Sequence, residues 1–403
     1  MPITQPISFK NLSNLRTVFY TFILLSSVLL AGCGNSWKLK TKGPQANEEA
    51  PKFAVKVYIE NSGSMNGYMC DGAELKDAVY SYLSALNSYA SSMQLNYINA
   101  EVVPMNVPLT DFIQRLSPSA FAQSGGSHAH SDFKQILSNV INNVNENTVA
   151  VFVSDCILDI PSGAASGFLN ITRTDISNVV TAKSRKMPSL SFCIYQMESM
   201  FDGTYYFPKG GHVKHKGKRP YYLWVVGSQK NLAYILRNVP NTKIQHGVKN
   251  YCSFAPSVQI PNTLYSAGRE VQELPLKAKR DGHFTCELMA DLSMTLQSET
   301  YIASVGNYID KSGCIKVVKA ESLPTTSAYS HILSLEVAGQ SFSDFLTVKK
   351  PAFPAWIELS NGMSDHTLEP SKTFSIKYII GGVADAYDRY KEAGNITLTN
   401  SNH

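Results

Sequence analysis

The sequence predicts two folded units: an α/β domain with a mostly parallel sheet over residues 51–241, then a β-rich, sandwich-like domain over residues 242–403. Three observations carry this. The first half alternates continuous apolar runs with helix-period segments, the pattern of strands buried on both faces between helices. After about residue 245 the apolar segments shorten, alternate and are separated by turn residues, as in antiparallel sheets. A length of 403 residues also exceeds the usual span of one domain.

Composition narrows the class further. Hydrophobic residues make up 44% and charged ones 17%, which excludes a disordered, collagen-like or coiled-coil chain. The 36 Lys and Arg against 31 Asp and Glu leave +5, too little over this length to imply nucleic acid as a partner. One long apolar run, at the N-terminus, argues against a polytopic membrane protein.

That run sets the expected compartment. Lys10 and Arg16 precede an apolar stretch over residues 18–30, which ends in Leu30-Ala31-Gly32-Cys33. A basic region, a short apolar core and small residues at a cleavage point describe a secretory signal over residues 1–33, not a spanning helix. The Leu-Ala-Gly-Cys end resembles the lipobox of bacterial lipoproteins. The resemblance implies cleavage before Cys33, acylation of its thiol and new amino terminus, and a chain held on a membrane leaflet. Gly34 stands where an Asp would retain the protein at the inner membrane. The outer membrane of a two-membrane cell envelope is therefore the expected location. Six further cysteines (Cys70, Cys156, Cys193, Cys252, Cys286 and Cys314) could form disulfides after export, while Cys156 and Cys193 lie in apolar runs and read equally as buried thiols.

Residues 34–50 are polar, without an apolar period, and read as a flexible tether. Residues 53–60 (FAVKVYIE) read as a buried strand. Leu75, Val79, Tyr82, Leu86 and Tyr89 then recur at steps of four and three, one face of a helix. Residues 94–104 give a second strand. Phe133, Ile136, Leu137, Val140, Ile141 and Val144 again keep helical spacing, with Ser131 or Asp132 as cap. Residues 148–155 (TVAVFVSD) are nearly all apolar and belong at the centre of the sheet. A helix over 176–186, strands over 190–197 and 221–227 (YYLWVVG) and a short helix near 231–237 complete the domain. Residues 212–219 (HVKHKGKR) read as a solvated basic loop, with contact to anionic lipid or polymer as the alternative. Farther on, residues 283–289, 314–318, 332–337, 355–359 and 373–379 read as strands, and 384–393 as a closing helix.

The chemistry gathers after the first strand. Glu60 leads into Asn61-Ser62-Gly63-Ser64-Met65-Asn66-Gly67, and ligands of open α/β sheets collect at the carboxyl ends of strands. This stretch resembles the first loop of a von Willebrand factor type A domain, Asp-x-Ser-x-Ser, part of that family's metal-ion-dependent adhesion site. Gly125-Gly126-Ser127 before a helix resembles the second loop, with Ser127 in place of Thr. Val151-Phe152-Val153-Ser154-Asp155 resembles the third. The resemblance covers the first domain and implies a Rossmann-like fold. It also implies that Glu60, Ser62, Ser64, Ser127 and Asp155 surround Mg²⁺, alternatively Mn²⁺ or Ca²⁺, leaving a position open for a carboxylate from a protein partner. Glu60 departs from the family's Asp by one methylene, so an occupied and a degenerate site are both open.

The same residues have plainer roles. Ser62 and Ser64 can satisfy backbone groups in a tight turn, and Asp155 can cap a turn or pair with a basic group. His128 and His130, with no third ligand near, read as hydrogen-bonding groups rather than zinc ligands. The functional expectation is a lipid-anchored envelope protein that mediates protein–protein interaction or adhesion, and not an enzyme. One alternative is a metal-dependent hydrolase using Ser62 or Ser64, with a base from His128 or His130. Another is a glycan-binding surface lipoprotein with Trp356 as a stacking platform. No Gly-x-Ser-x-Gly elbow, phosphate loop or His-Glu-x-x-His helix supports catalysis, and Trp356 sits among apolar neighbours as a core residue would.

Overall fold

The computed structural model describes residues 36–46, 49–123, 132–161, 164, 167–277 and 282–402. The signal region and Cys33 lie outside them, as do Ser127, His128 and His130. No helix among the described residues is long and apolar enough to cross a membrane.

Among the described residues, eight strands lie between residues 36 and 254: β1 (Ser36–Lys42), β2 (Ala54–Glu60), β3 (Ser92–Ile98), β4 (Val102–Met105), β5 (Thr148–Ser154), β6 (Leu190–Tyr206), β7 (His212–Ser228) and β8 (Asn250–Phe254). Seven of them form one sheet in the order β4-β3-β2-β5-β7-β6-β8. Only β3-β2-β5 is parallel. The pairs β3–β4, β5–β7, β6–β7 and β6–β8 are antiparallel, so the sheet is mixed and the mostly parallel expectation is corrected. The reason is the chain's return: β6 and β7 pair from Leu190↔Ser228 out to Tyr206↔His212, and a hairpin can only be antiparallel. The segment 212–219, read as a loop, is the outer half of β7. Backbone pairing with β6 satisfies half of its amides and carbonyls, and water can take the other edge, whatever its side chains are.

Strand alternation feeds two cores. Val55, Val57 and Ile59 of β2 join Leu75, Val79, Tyr82 and Leu86 of the Glu74–Asn87 helix on one face, with Leu232 and Ile235 of the Gln229–Asn238 helix. On the other face Phe152 and Trp224 meet Ile136 and Val140 of the Phe133–Asn142 helix and Ile176 and Val180 of the Phe168–Lys186 helix. Asp132 caps the Phe133–Asn142 helix, its side chain accepting from the Gln135 amide at 3.2 Å.

The boundary between units does not fall at residues 241/242. Strand β8 extends the first sheet, and the Ile376–Ala386 helix buries Ile376, Ile379, Ile380 and Val383 in that sheet's second core. Residues 355–359 and 376–379, read as strands, are helical. The reverse exchange occurs at the N-terminus. Within the segment read as a tether, β1 lies between strands Glu273–Lys277 and Glu392–Asn402, with Trp37 and Leu39 buried. That sheet also contains Tyr308–Asp310 and Phe342–Lys349. A five-stranded antiparallel sheet, including His283–Ala290, Ile315–Ser322 and His331–Ala338, shares one apolar cluster with it. The six described cysteines are free thiols.

Candidate functional site

Strands β2 and β5 end side by side, and the residues that follow them form the carboxyl edge of the parallel part of the sheet. Glu60 closes β2, and its carboxylate accepts a hydrogen bond from the Ser154 hydroxyl at the end of β5. The Cys156 amide donates to the same Ser154 oxygen at 2.7 Å. After Glu60 the chain passes Ser62 and winds into a 3₁₀ turn over Gly63–Met69. The hydroxyls of Ser62 and Ser64 lie 3.0 Å apart. After β5 the chain turns at once: Cys156 is left-handed at φ 54°, and the Ile157 amide donates to Asp155 Oδ1 at 3.3 Å. The Ser64 hydroxyl hydrogen-bonds the Asp155 carboxylate and favours its ionised form. Two small clusters thus meet at one edge, Glu60 with Ser154 and Asp155 with Ser64 and Ser62.

The edge is closed to solvent. Glu60 is 2% exposed, Ser62 5% and Asp155 1%. The outer half of the β6–β7 hairpin continues past the end of β5 and lies over the 3₁₀ turn. Tyr68 donates to the Pro220 carbonyl at 2.6 Å, and its ring meets Phe201 edge-on at 5.1 Å. At the start of the next helix the Met200 amide donates to Glu74 Oε2 at 2.6 Å, and the Leu75 amide donates to Ser199 Oγ at 3.1 Å. On the other side the Ile160 amide reaches the Pro208 carbonyl at the hairpin's tip, at 2.9 Å. The approach is close enough to require glycine: a Cβ on Gly203 would stand 2.6 Å from the Gly67 Cα.

The hairpin also delivers a residue that sequence reading missed. Tyr222 pairs with Ser154, so Arg219, three residues nearer the tip, projects beyond the end of β5. It is 1% exposed, and its guanidinium lies 4.3 Å from the ring centre of Tyr205 and 5.6 Å from that of Phe201. Nε, Nη1 and Nη2 make no well-aligned hydrogen bond among the described residues, and neither does Asp155 Oδ2. Burial works against the guanidinium's charge, but Tyr68, Asp155 and Tyr205 favour it, and on balance its pKa is raised. Burial lifts the Asp155 carboxyl above the usual range, against the opposing pull of Arg219 and Ser64. A signal was present in the sequence: Val213, His215, Gly217 and Arg219 alternate with His212, Lys214, Lys216 and Lys218, as on the two faces of a strand.

A divalent cation does not fit the edge as it is arranged. The donor types suit a hard ion, with carboxylates from Glu60 and Asp155 and hydroxyls from Ser62 and Ser64. Yet a guanidinium already acts on Asp155, Glu60 is engaged by Ser154, and all but Ser64 are buried away from water. Trp356, the candidate stacking residue, packs from its short helix against the second core. Comparison with family models, curated proteins and solved structures finds no match for this chain, so the edge is read on its own geometry.

Proposed function

We propose that this chain is a lipid-anchored protein of a bacterial cell envelope, at the outer membrane, that binds a protein partner through an α/β unit of von Willebrand factor type A kind. The observation that carries the reading is the meeting of Glu60, Ser62, Ser64 and Asp155 at the carboxyl edge of β2 and β5. The Leu30–Cys33 signal supports the anchor. The two sheets around the third apolar cluster, taken as a β-sandwich, serve as spacer or second contact. A hydrolase is the weaker reading, because the group beside the Ser62 hydroxyl is another hydroxyl rather than a base.

The hairpin covers the edge, so it supplies the surface a partner meets there. His212, Lys214, Lys216 and Lys218 are exposed on its outer face, which suits a partner offering carboxylates. Lys216 pairs with Asp202 at 2.8 Å and Lys218 with Glu74 at 3.1 Å, which tempers this charge without burying it. The test uses tagged full-length protein incubated with detergent-solubilised envelope extract, in Mg²⁺ and in EDTA. Wild type is expected to retain a discrete acidic protein in both, and Lys214→Glu/Lys216→Glu to release it. Equal retention by the two forms sinks the proposal. Fatty-acid labelling of wild type but not of Cys33→Ser checks the anchor.

A further inference from the structure

We propose that the guanidinium of Arg219 is the resident cation of the carboxyl-edge crevice and excludes a divalent ion from it. The inference concerns this chain's own residues and does not require the partner reading to hold.

The register of the sheet determines the placement. Because β7 runs antiparallel to β5 with Tyr222 opposite Ser154, the residues between Tyr222 and the hairpin tip overhang the loop that begins at Asp155. His215, Gly217 and Arg219 turn inward from that overhang, while the exposed residues between them turn out. Arg219 is therefore carried over the crevice by backbone pairing, not by a flexible loop. Two aromatic rings then hold its head. Tyr205 and Phe201 both belong to β6, the strand paired with β7, so the whole clamp comes from one hairpin.

The energetics explain why the charge is there. A guanidinium that is 1% exposed, with no well-aligned acceptor at any of its three nitrogens, is costly unless a carboxylate balances it. Asp155, equally buried, begins the loop that the Arg219 end of the hairpin overhangs, and the two charges act on each other without touching. The rings contribute attraction, and the Tyr68 and Tyr205 hydroxyls lie near enough to favour the charge. Asp155 Oδ2 also makes no hydrogen bond among the described residues, so the attraction between the two groups acts through space rather than through a direct ion pair. A divalent ion held by Asp155 and the Ser62 and Ser64 hydroxyls would share this space with a fixed positive charge. Like charges in a dry, low-dielectric site repel even when they do not touch. Arg219 thus supplies the positive charge that Asp155 requires, and it is covalently tied to the hairpin that covers it.

The test is Mn²⁺ titration of the full chain, followed by electron paramagnetic resonance and calorimetry. Wild type and Arg219→Lys, which keeps a positive charge, are expected to show no saturable site. Arg219→Met, similar in length and neutral, is expected to bind one Mn²⁺ per chain saturably, at least about tenfold tighter than any residual binding by wild type. Arg219→Met combined with Asp155→Ala is expected to lose that site again. If Arg219→Met lacks a cooperative melt, Arg219→Gln carries the same comparison. Saturable Mn²⁺ binding by wild type that Asp155→Ala removes overturns the proposal, as does a folded Arg219→Met chain that binds no ion. Loss of partner capture with this Mn²⁺ contrast intact would instead count against the proposed function alone.

Discussion

A fragment spanning residues 51–254 contains every strand of the seven-stranded sheet, yet it is expected not to fold by itself. The missing piece is the Ile376–Ala386 helix. Its Ile376, Ile379, Ile380 and Val383 are each 0% exposed, and they lie against Ile176, Val180, Phe192 and Ile194. Full burial of one such aliphatic side chain is worth about 1.5–3 kcal/mol, so the four contribute roughly 6–12 kcal/mol. A compact denatured state lowers that by about 10–40%, leaving roughly 4–11 kcal/mol. Domains are stable by only about 5–15 kcal/mol, so removing the helix takes most or all of the margin. The hydrophobic face of the sheet that it leaves bare adds an aggregation cost. Urea unfolding followed by far-ultraviolet circular dichroism decides the matter. The fragment is expected to show no cooperative transition, and Ile380→Ala in the full chain to lose about 2–5 kcal/mol. A fragment that melts as cooperatively as the full chain, or an Ile380→Ala variant of unchanged stability, would refute the shared core.

Two further outcomes test the closed edge. Gly67→Ala places a Cβ 2.3 Å from the Phe201 ring, so the hairpin must shift; a loss of about 1–3 kcal/mol in urea and faster proteolysis near the hairpin tip are expected. Burial alone would raise the Glu74 carboxyl, but the Met200 amide and the Lys218 ammonium overcome it and hold the group down, from 4.5 to about 2. A carboxyl depressed in the folded state gives stability that is full above its ordinary value and lost as pH falls through its folded one. Glu74→Gln should therefore flatten the decline in urea midpoint between about pH 4.5 and about 2, whereas an unchanged decline assigns it to other acids.

The legible parts of the fold were those whose signal is local. Strands β2 and β5 are short apolar runs that can only be buried, and the Glu74–Asn87 and Phe133–Asn142 helices repeat apolar residues at one face. Of the two caps the spacing offered, Ser131 or Asp132, the role falls to Asp132, whose short side chain reaches the amide three residues on. The Ile376–Ala386 helix was missed although its spacing of three, one and three is helical. Cutting the pattern at residue 379 left a segment short enough to pass for a strand. The meeting of Glu60 with the loop after β5 was readable only through motif order, since nothing local ties residues 94 positions apart.

What the sequence by itself determined is therefore the chemistry on offer: an acid and two serines where one strand ends, and an acid after another. Tertiary structure alone decided how that chemistry is used. A polar, basic stretch became a strand because its partner strand satisfied its backbone, and no side-chain pattern encodes that demand. Its register then carried Arg219 over Asp155 and sealed the edge. β1 and the Ile376–Ala386 helix crossed between units for the same reason: burial is a property of surfaces that face each other in space, and sequence distance does not enter it.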